Sequence, residues 1–395
     1  MTATAPAGGL AGAVTSAATP AIRASPAIAA VGSAFPHHYY DQETLLEALR
    51  GYWEQRYFNL ERIEQLHKNV LVGGRHLALP IEEYPGLTTF GQSNSAWIRV
   101  AEEIGGEALL AALAKCGLAP TDVDALFFVT VTGIATPSID ARLINRLGLR
   151  TDLKRIPIFG LGCVAGAAGI ARAADYVRAF PDQVAVLLSV ELCSLTLQRQ
   201  DLSIPNLIAS GLFGDGAAAA VVVGAERAAA LAQALGASLA PPADAAPAAP
   251  LGPEIVATRS IFYPHSERVM GWDISESGFQ IVLSADVPKV VEEHLRADVD
   301  DFLGARGLTR ADIASWVCHP GGPKVLEAME KALETQDDAL ELTWRSLREV
   351  GNLSSTSVLL VLEATLAGRR PPAGSLGMLL ALGPGFCSEL VLLRW

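Results

Sequence analysis

The stretch GLGCVAGAAGIARAADYVRAF, Gly160 to Phe180, decides the fold class. Its small residues Gly160 to Gly166 lead into a helix ending near Phe180, and β-rich runs flank it at Ala125 to Val131 and Val184 to Val190. Strand, glycine-rich turn, helix and strand in succession are the grammar of an α/β protein, and they set Cys163 at a strand-to-helix junction.

Upstream, Gln42 to Leu71 is rich in Glu, Leu and Arg and reads as helices, and Gly105 to Lys115 is apolar and helical. Downstream, LFGDGAAAAVVVG (Leu212 to Gly224) couples a Gly-rich turn to a buried strand. Residues 228–253 are Ala- and Pro-rich, with Pro241, Pro242 and Pro247 breaking any helix, and they mark the domain boundary. The chain resumes with a strand at Ile255 to Tyr263, a long helix around Val287 to Leu303, the run SWVCHP and a helix opened by Pro323. GNLSSTSVLLVLEATLAG then gives a capped helix, and SLGMLLALG and SELVLLRW give two strands separated by PGFC. Both halves thus end on helix, strand, Gly-rich turn and strand, which predicts two related α/β halves with chemistry at their junction. The expected organisation is a tail over 1–26, halves over 27–227 and 254–395, and a linker over 228–253.

The chain has 395 residues, half of them hydrophobic, which is ample for a large core. Its 42 acidic and 30 basic residues give a formal charge of -12, so no general attraction for nucleic acid is expected, although a small basic portal for an anionic ligand is allowed. No unbroken apolar span of membrane length is present, and no Lys or Arg precedes Arg23, so neither a membrane helix nor a secretory signal is expected. The five cysteines, 116, 163, 193, 318 and 387, lack CxxC spacing and scaffold density. A reducing, cytoplasmic setting is the expectation.

Three side chains stand out chemically. Cys163, at a helix start, would face unpaired backbone N–H groups and the positive helix end, both of which lower a thiol pKa; the competing reading is a small buried hydrophobe. His319, in WVCHPGGPK, follows an apolar run, where its imidazole could enter a cleft and pair with a thiolate, or be satisfied by a backbone carbonyl. Asn352 precedes a Ser/Thr-rich helix start; its amide is either an oxyanion donor or a cap, and Ser354, Ser355 and Thr356 offer alternative caps. No GxxxxGK[ST], GxSxG, HExxH or Cys/His metal spacing occurs, so neither a nucleotide cradle nor a metal site is expected.

Together GLGCVAG, LFGDGAAA, CHPGGPK, GNLSS and ALGPGF resemble the motifs of type III polyketide synthases, the chalcone and stilbene synthase family of thiolase-like enzymes. The resemblance covers nearly all of the chain after the tail. It implies a five-layered αβαβα thiolase fold, a homodimer, and an acyltransferase without metal or redox cofactor. Cys163 would carry the growing chain, while His319 and Asn352 stabilise the enolate made by decarboxylating malonyl-CoA. Phe213 matches a family gate phenylalanine and Thr196 a cavity-shaping threonine. Val131 stands where plant members commonly have Thr. For the second gate, alignment through DVP selects Ile281 rather than the nearby Phe279. Gly383, Pro384, Gly385 and Phe386 match the loop that shapes the cyclisation cavity, and Arg62, Lys68 and Arg75 are candidates for the CoA phosphates or solvated charges.

The phrases RHLALPIEEYP and MGWDISESGFQIVLS look bacterial in style and similar to synthases of alkylpyrones and alkylresorcinols. The first expectation is therefore a medium- or long-chain fatty acyl-CoA starter extended by malonyl-CoA. The alternative is a malonyl-primed synthase of the tetrahydroxynaphthalene type. A β-ketoacyl-carrier-protein synthase III, whose usual HQAN region is CHPGG here, and a non-catalytic CoA-ester-binding protein stand further off.

Overall fold

A computed structural model describes residues 25–53, 59–238, 251–336 and 338–395. Nine strands hydrogen-bond in the order Ile313–Cys318, Leu376–Gly383, Cys387–Arg394, Glu254–Phe262, Ala27–Ala34, Asp215–Val223, Val184–Leu192, Ala125–Thr130 and Lys154–Phe159. The seam between the fourth and fifth is narrow. It consists of the Ala27/Glu254 pair and the bonds Ile28 N to Pro253 O and Ile255 N to Pro26 O, so the ladder is two sheets joined at a corner.

The two sheets repeat one topology. In each, the first strand (Ala27–Ala34 or Glu254–Phe262) pairs antiparallel with the last (Asp215–Val223 or Cys387–Arg394). The last pairs antiparallel with Val184–Leu192 or Leu376–Gly383, and these run parallel to Ala125–Thr130 or Ile313–Cys318. The related halves expected from the helix–strand endings are therefore real in the backbone. The halves differ at the far edge, where the first adds Lys154–Phe159 and the second has helix Glu341–Val350 in the corresponding stretch of chain. They differ also before their last strand: the first inserts helix Ile204–Leu212, the second only the turn at Pro384–Phe386.

Side-chain alternation sorts the strands into layers. In Val184–Leu192, Val186, Leu188 and Val190 face helix Phe90–Lys115, whereas Leu187 faces the middle of the molecule. In Leu376–Gly383, Leu379 and Ala381 face the middle, while Met378 and Leu380 meet helices Val287–Gly304 and Pro323–Leu333. Between the sheets lie helices Ala165–Ala179 and Ser357–Gly368, apolar on nearly every face because both are enclosed. The result is the five-layered αβαβα arrangement. Each fully buried Leu or Val in these layers contributes roughly 1.5–3 kcal/mol relative to exposure.

Most expected elements are present, including the helix opened by Pro323 and the strand pair at the C-terminus. Three corrections follow. The Ala-rich opening of the 228–253 segment belongs to helix Ala225–Ser238, because alanine favours helix until the prolines intervene. Residues 239–250, and 1–24 of the tail, lie outside the described residues. Strand Lys154–Phe159 and hairpin Met270–Ser275/Gly278–Leu283 were not expected, since both carry charged or polar residues on a solvent-facing side. No helix among the described residues is long and apolar enough to cross a membrane.

Candidate active site

The two central helices bring their N-terminal ends together. A 3-10 turn, Gly162–Val164, carries Cys163 into helix Ala165–Ala179, and the turn Ser354–Thr356 enters helix Ser357–Gly368. Close approach depends on glycine at two positions. A Cβ on Gly166 would sit 2.3 Å from the Ser355 carbonyl oxygen, and one on Gly162, whose φ is +56°, would sit 2.7 Å from the Pro384 ring. The juxtaposition lets Cys163 Sγ donate to Ser354 Oγ at 3.6 Å, while Ser354 N–H donates to Asn352 Oδ1 at 2.8 Å.

His319 leaves the end of strand Ile313–Cys318, with its N–H bonded to Leu380 O at 3.0 Å. Gly321 links it to the asparagine: Gly321 N–H donates to His319 O at 3.0 Å, and Asn352 Nδ2 donates to Gly321 O at 3.2 Å. Both His319 ring nitrogens are buried without a partner among the described residues, so a backbone carbonyl does not satisfy the imidazole. Asn352 combines its two readings. Its carbonyl caps the 354–356 turn, and its amide nitrogen keeps one N–H beyond the bond to Gly321. Cys163, His319 and Asn352 are each nearly inaccessible to water, and all three belong to this junction.

The serines do not cap the helix. Ser355 Oγ donates to Glu191 Oε1, Thr356 Oγ1 and Ser355 Oγ each lie 2.8 Å from Ser189 Oγ, and Ser357 Oγ accepts Leu353 N–H at 2.7 Å. Glu191 is wholly buried on the inner face of Val184–Leu192, where it also accepts from Val131 N at 3.1 Å and Thr132 Oγ1 at 2.9 Å. Burial pushes its carboxyl up to about 7 against these hydrogen bonds.

Burial runs against the expected thiolate. Burial, with a smaller contribution from Glu191, pushes the Cys163 thiol up to about 12, against the Ser354 hydrogen bond. Burial drives the His319 imidazole down to about 3. Burial thus opposes both the thiolate and the imidazolium, against the pull of the helix ends toward the anion.

A partly open pocket of about 90 Å³ has Phe213, Thr196, Ile281, Arg75, Cys193 and Trp272 in its wall; none of Cys163, His319 and Asn352 lines it, and Phe213 links it to Asn352. Ile281 thus lines it, whereas Phe279 is buried among Phe90, Phe159 and Trp272 at ring separations of 5.5, 6.3 and 6.0 Å. Phe213 forms an isolated backbone bridge with Asn352, and Thr196 Oγ1 donates to Cys193 O at 2.7 Å. Val131 is buried, lies outside the cavity lining, and serves Glu191 through its backbone. In the Gly383–Phe386 loop Pro384 packs on Gly162, Gly383 abuts Val164, and Phe386 is buried, so the loop buttresses the Cys163 turn.

Among the basic candidates, Arg62 and Lys68 are exposed on helix Leu60–Asn69. Arg75 is 3% exposed, and its Nη1 donates to Ser210 O at 2.7 Å and Phe213 O at 2.8 Å. It is neither a solvated charge nor available to a CoA phosphate. Among the described residues no group of three His, Cys, Asp or Glu side chains is placed to hold a metal ion.

Two family models span almost the whole chain: "Chalcone and stilbene synthases, N-terminal domain" matches residues 15–227, and the corresponding C-terminal domain matches residues 254–395. The chain belongs to the chalcone and stilbene synthase family. It is 50% identical over 368 residues to a 1,3,6,8-tetrahydroxynaphthalene synthase of Streptomyces peucetius, covering 93% of each chain. It is 36% identical to a putative chalcone synthase of Bacillus subtilis, covering 93% of this chain and 98% of that one. The crystal structure of 1,3,6,8-tetrahydroxynaphthalene synthase from Streptomyces coelicolor, a bacterial type III polyketide synthase, superposes with a TM-score of 0.83 at 30% identity, covering 93% of this chain and 99% of that one. The protein is thus a type III polyketide synthase, an acyltransferase-type enzyme.

Glu191, Ser354 and Ser355 are absent from the residues singled out by sequence. A carboxylate inside the apolar run AVLLSVELC was the available signal for Glu191, since such a charge requires buried partners.

Proposed function

We propose that this synthase is malonyl-primed and makes a compact aromatic product of the tetrahydroxynaphthalene type, rather than an alkylpyrone or alkylresorcinol from a fatty acyl starter. The observation that carries this reading is the 50% identity, over 93% of both chains, to the Streptomyces peucetius enzyme.

In this mechanism Cys163 Sγ attacks the malonyl thioester carbonyl. The bond to the CoA sulfur breaks, and the proton given up by the thiol leaves on the departing CoA. A second malonyl-CoA loses carbon dioxide when its carbon–carboxylate bond breaks, leaving the electron pair in an enolate. The enolate oxygen accepts from Asn352 Nδ2–H and from the His319 ring, two donors held in a water-poor site. The enolate carbon then attacks the Cys163 thioester, expels the thiolate and leaves the lengthened chain on CoA, ready to return to Cys163. Phe213 and Ile281 bound the space in which the chain folds. None of these steps requires a metal or redox cofactor.

The same reading includes a homodimer in a reducing, bacterial cytoplasm. Edge strand Lys154–Phe159 pairs on one side alone and presents a half-exposed Phe159, and all five cysteines are free.

The test is mass spectrometry of products from malonyl-CoA alone and then with acyl-CoAs of increasing length. A single aromatic product built from malonyl units is expected without an added starter. Products formed only with a fatty acyl-CoA, with masses that track its length, would replace this reading with the fatty-starter one.

A further inference from the structure

Arg75 sits on strand Gly74–Leu77, far in sequence from Cys163, yet it touches both the cavity wall and the segment that presents Asn352. Its Nη1 spans two carbonyl oxygens, Ser210 in the last turn of helix Ile204–Leu212 and Phe213 just beyond it. These carbonyls form the negative end of that helix, where a buried cation is well placed. The Arg75 stem lies against the other chain: a Cβ on Gly351 would come within 3.2 Å of its Cγ and Cδ, and one on Gly214 within 3.5 Å of its Cβ and Cγ. Those two chains are stitched by Asn352 N to Leu212 O at 2.9 Å and Gly214 N to Asn352 O at 3.0 Å. The strand carrying Arg75 is itself anchored to the helix before Gly351 through Gly73 N to Arg348 O at 2.7 Å.

We infer that Arg75 is a positioning residue that fixes the spacing between Phe213 at the cavity wall and Asn352 at the enolate site. A side chain that merely filled space would not bond both carbonyls, and a phosphate-binding arginine would not be enclosed. With the clamp intact, the end of helix Ile204–Leu212 cannot slide against Gly351–Asn352 without breaking charge-assisted hydrogen bonds in a buried setting. Phe213 and the Asn352 amide then keep one relative placement through successive condensations. Without it, decarboxylation and carbon–carbon bond formation lose their alignment, so enolate is protonated before it can attack.

This inference rests on the proposed roles of Cys163, Asn352 and Phe213. It is tested with full-length Arg75→Lys and Arg75→Met proteins, supplied with malonyl-CoA and, if the wild type needs one, an acyl-CoA starter. Active sites are counted by iodoacetamide titration of Cys163, and carbon dioxide release is measured against condensed product. Arg75→Met is expected to lower kcat per titrated site by up to about a hundredfold, with KM for malonyl-CoA nearly unchanged and more carbon dioxide lost per condensation. Arg75→Lys, which keeps the stem and reaches one carbonyl, is expected to fall between Met and wild type.

If Arg75→Met does not fold, Arg75→Lys combined with Phe213→Ala decides the matter, and a clearly non-additive effect on the carbon dioxide to product ratio is expected. An unchanged kcat per titrated site, an unchanged ratio, or strict additivity would overturn the inference. The underlying roles fail separately: if Asn352→Ala retained full decarboxylation and elongation, the enolate-site assignment would be wrong whatever the Arg75 variants did.

Discussion

Cys163 and Ser354, one from each half of the molecule, meet at 3.6 Å between Sγ and Oγ. The contact joins the turns that open the two central helices, and the Ser354 N–H bond to Asn352 Oδ1 carries it on to the third residue of the site. Since the hydroxyl lowers the thiol pKa, Ser354→Ala is expected to shift the pH profile of Cys163 alkylation upward and slow it at pH 8. Alkylation rates measured from pH 6 to 10 check this; an unchanged profile would remove Ser354 from thiol control.

Glu191 predicts an opposite shift. Its charge raises the Cys163 pKa, so Glu191→Gln should move the alkylation profile to lower pH. The substitution also affects stability. The carboxyl titrates at about 7 in the fold against 4.5 without burial, so its neutral form is the one the fold prefers. Stability from this group is complete below pH 4.5 and is lost as pH rises through about 7, by roughly 3 kcal/mol at full ionisation. Denaturation midpoints at pH 5 and pH 8 should therefore differ less in Glu191→Gln than in wild type.

Gly166→Ala tests the meeting of the helices. The added methyl would collide with the Ser355 carbonyl, a backbone atom that cannot swing aside. A loss of about 1–3 kcal/mol is expected, with reduced Cys163 loading in the folded fraction. Thermal melting and active-site titration measure the two effects. Gly51→Ala, where a Cβ meets nothing within 4 Å, is the control and should not lose stability.

Ile281→Phe tests the cavity. A larger ring in the wall of this pocket should shorten the product while leaving Cys163 acylation intact. Product mass spectra would show fewer malonyl units per molecule; an unchanged distribution would place the growing chain elsewhere.

The membership of this junction was more legible in the sequence than its electrostatics. Cys163, His319 and Asn352 each follow a strand or precede a helix within a glycine-rich context, and local pattern registers that. The Glu191–Ser355–Ser189 cluster joins strand Val184–Leu192 to the turn beyond residue 353, a pairing no local period encodes. Arg75 reads in sequence as a CoA-phosphate candidate or a solvated charge because its partners, the Ser210 and Phe213 carbonyls, are backbone groups with no signature in residue type. The upward push of burial on the Cys163 thiol is hidden from sequence for a related reason. A helix start can be read from sequence, whereas the depth of burial that opposes it depends on both halves closing over the thiol. Starter preference has no local signature in motif style or aliphatic content, since a large core needs the same aliphatic residues.

The central claim is that malonyl-CoA alone primes Cys163. The most direct measurement is peptide-level mass spectrometry of the protein quenched during turnover with malonyl-CoA as its sole thioester. The account predicts a malonyl-derived or β-keto-extended adduct on the peptide containing Cys163, absent from Cys163→Ala. An unmodified Cys163 under these conditions, with labelling and product appearing only after a fatty acyl-CoA is added, would contradict it.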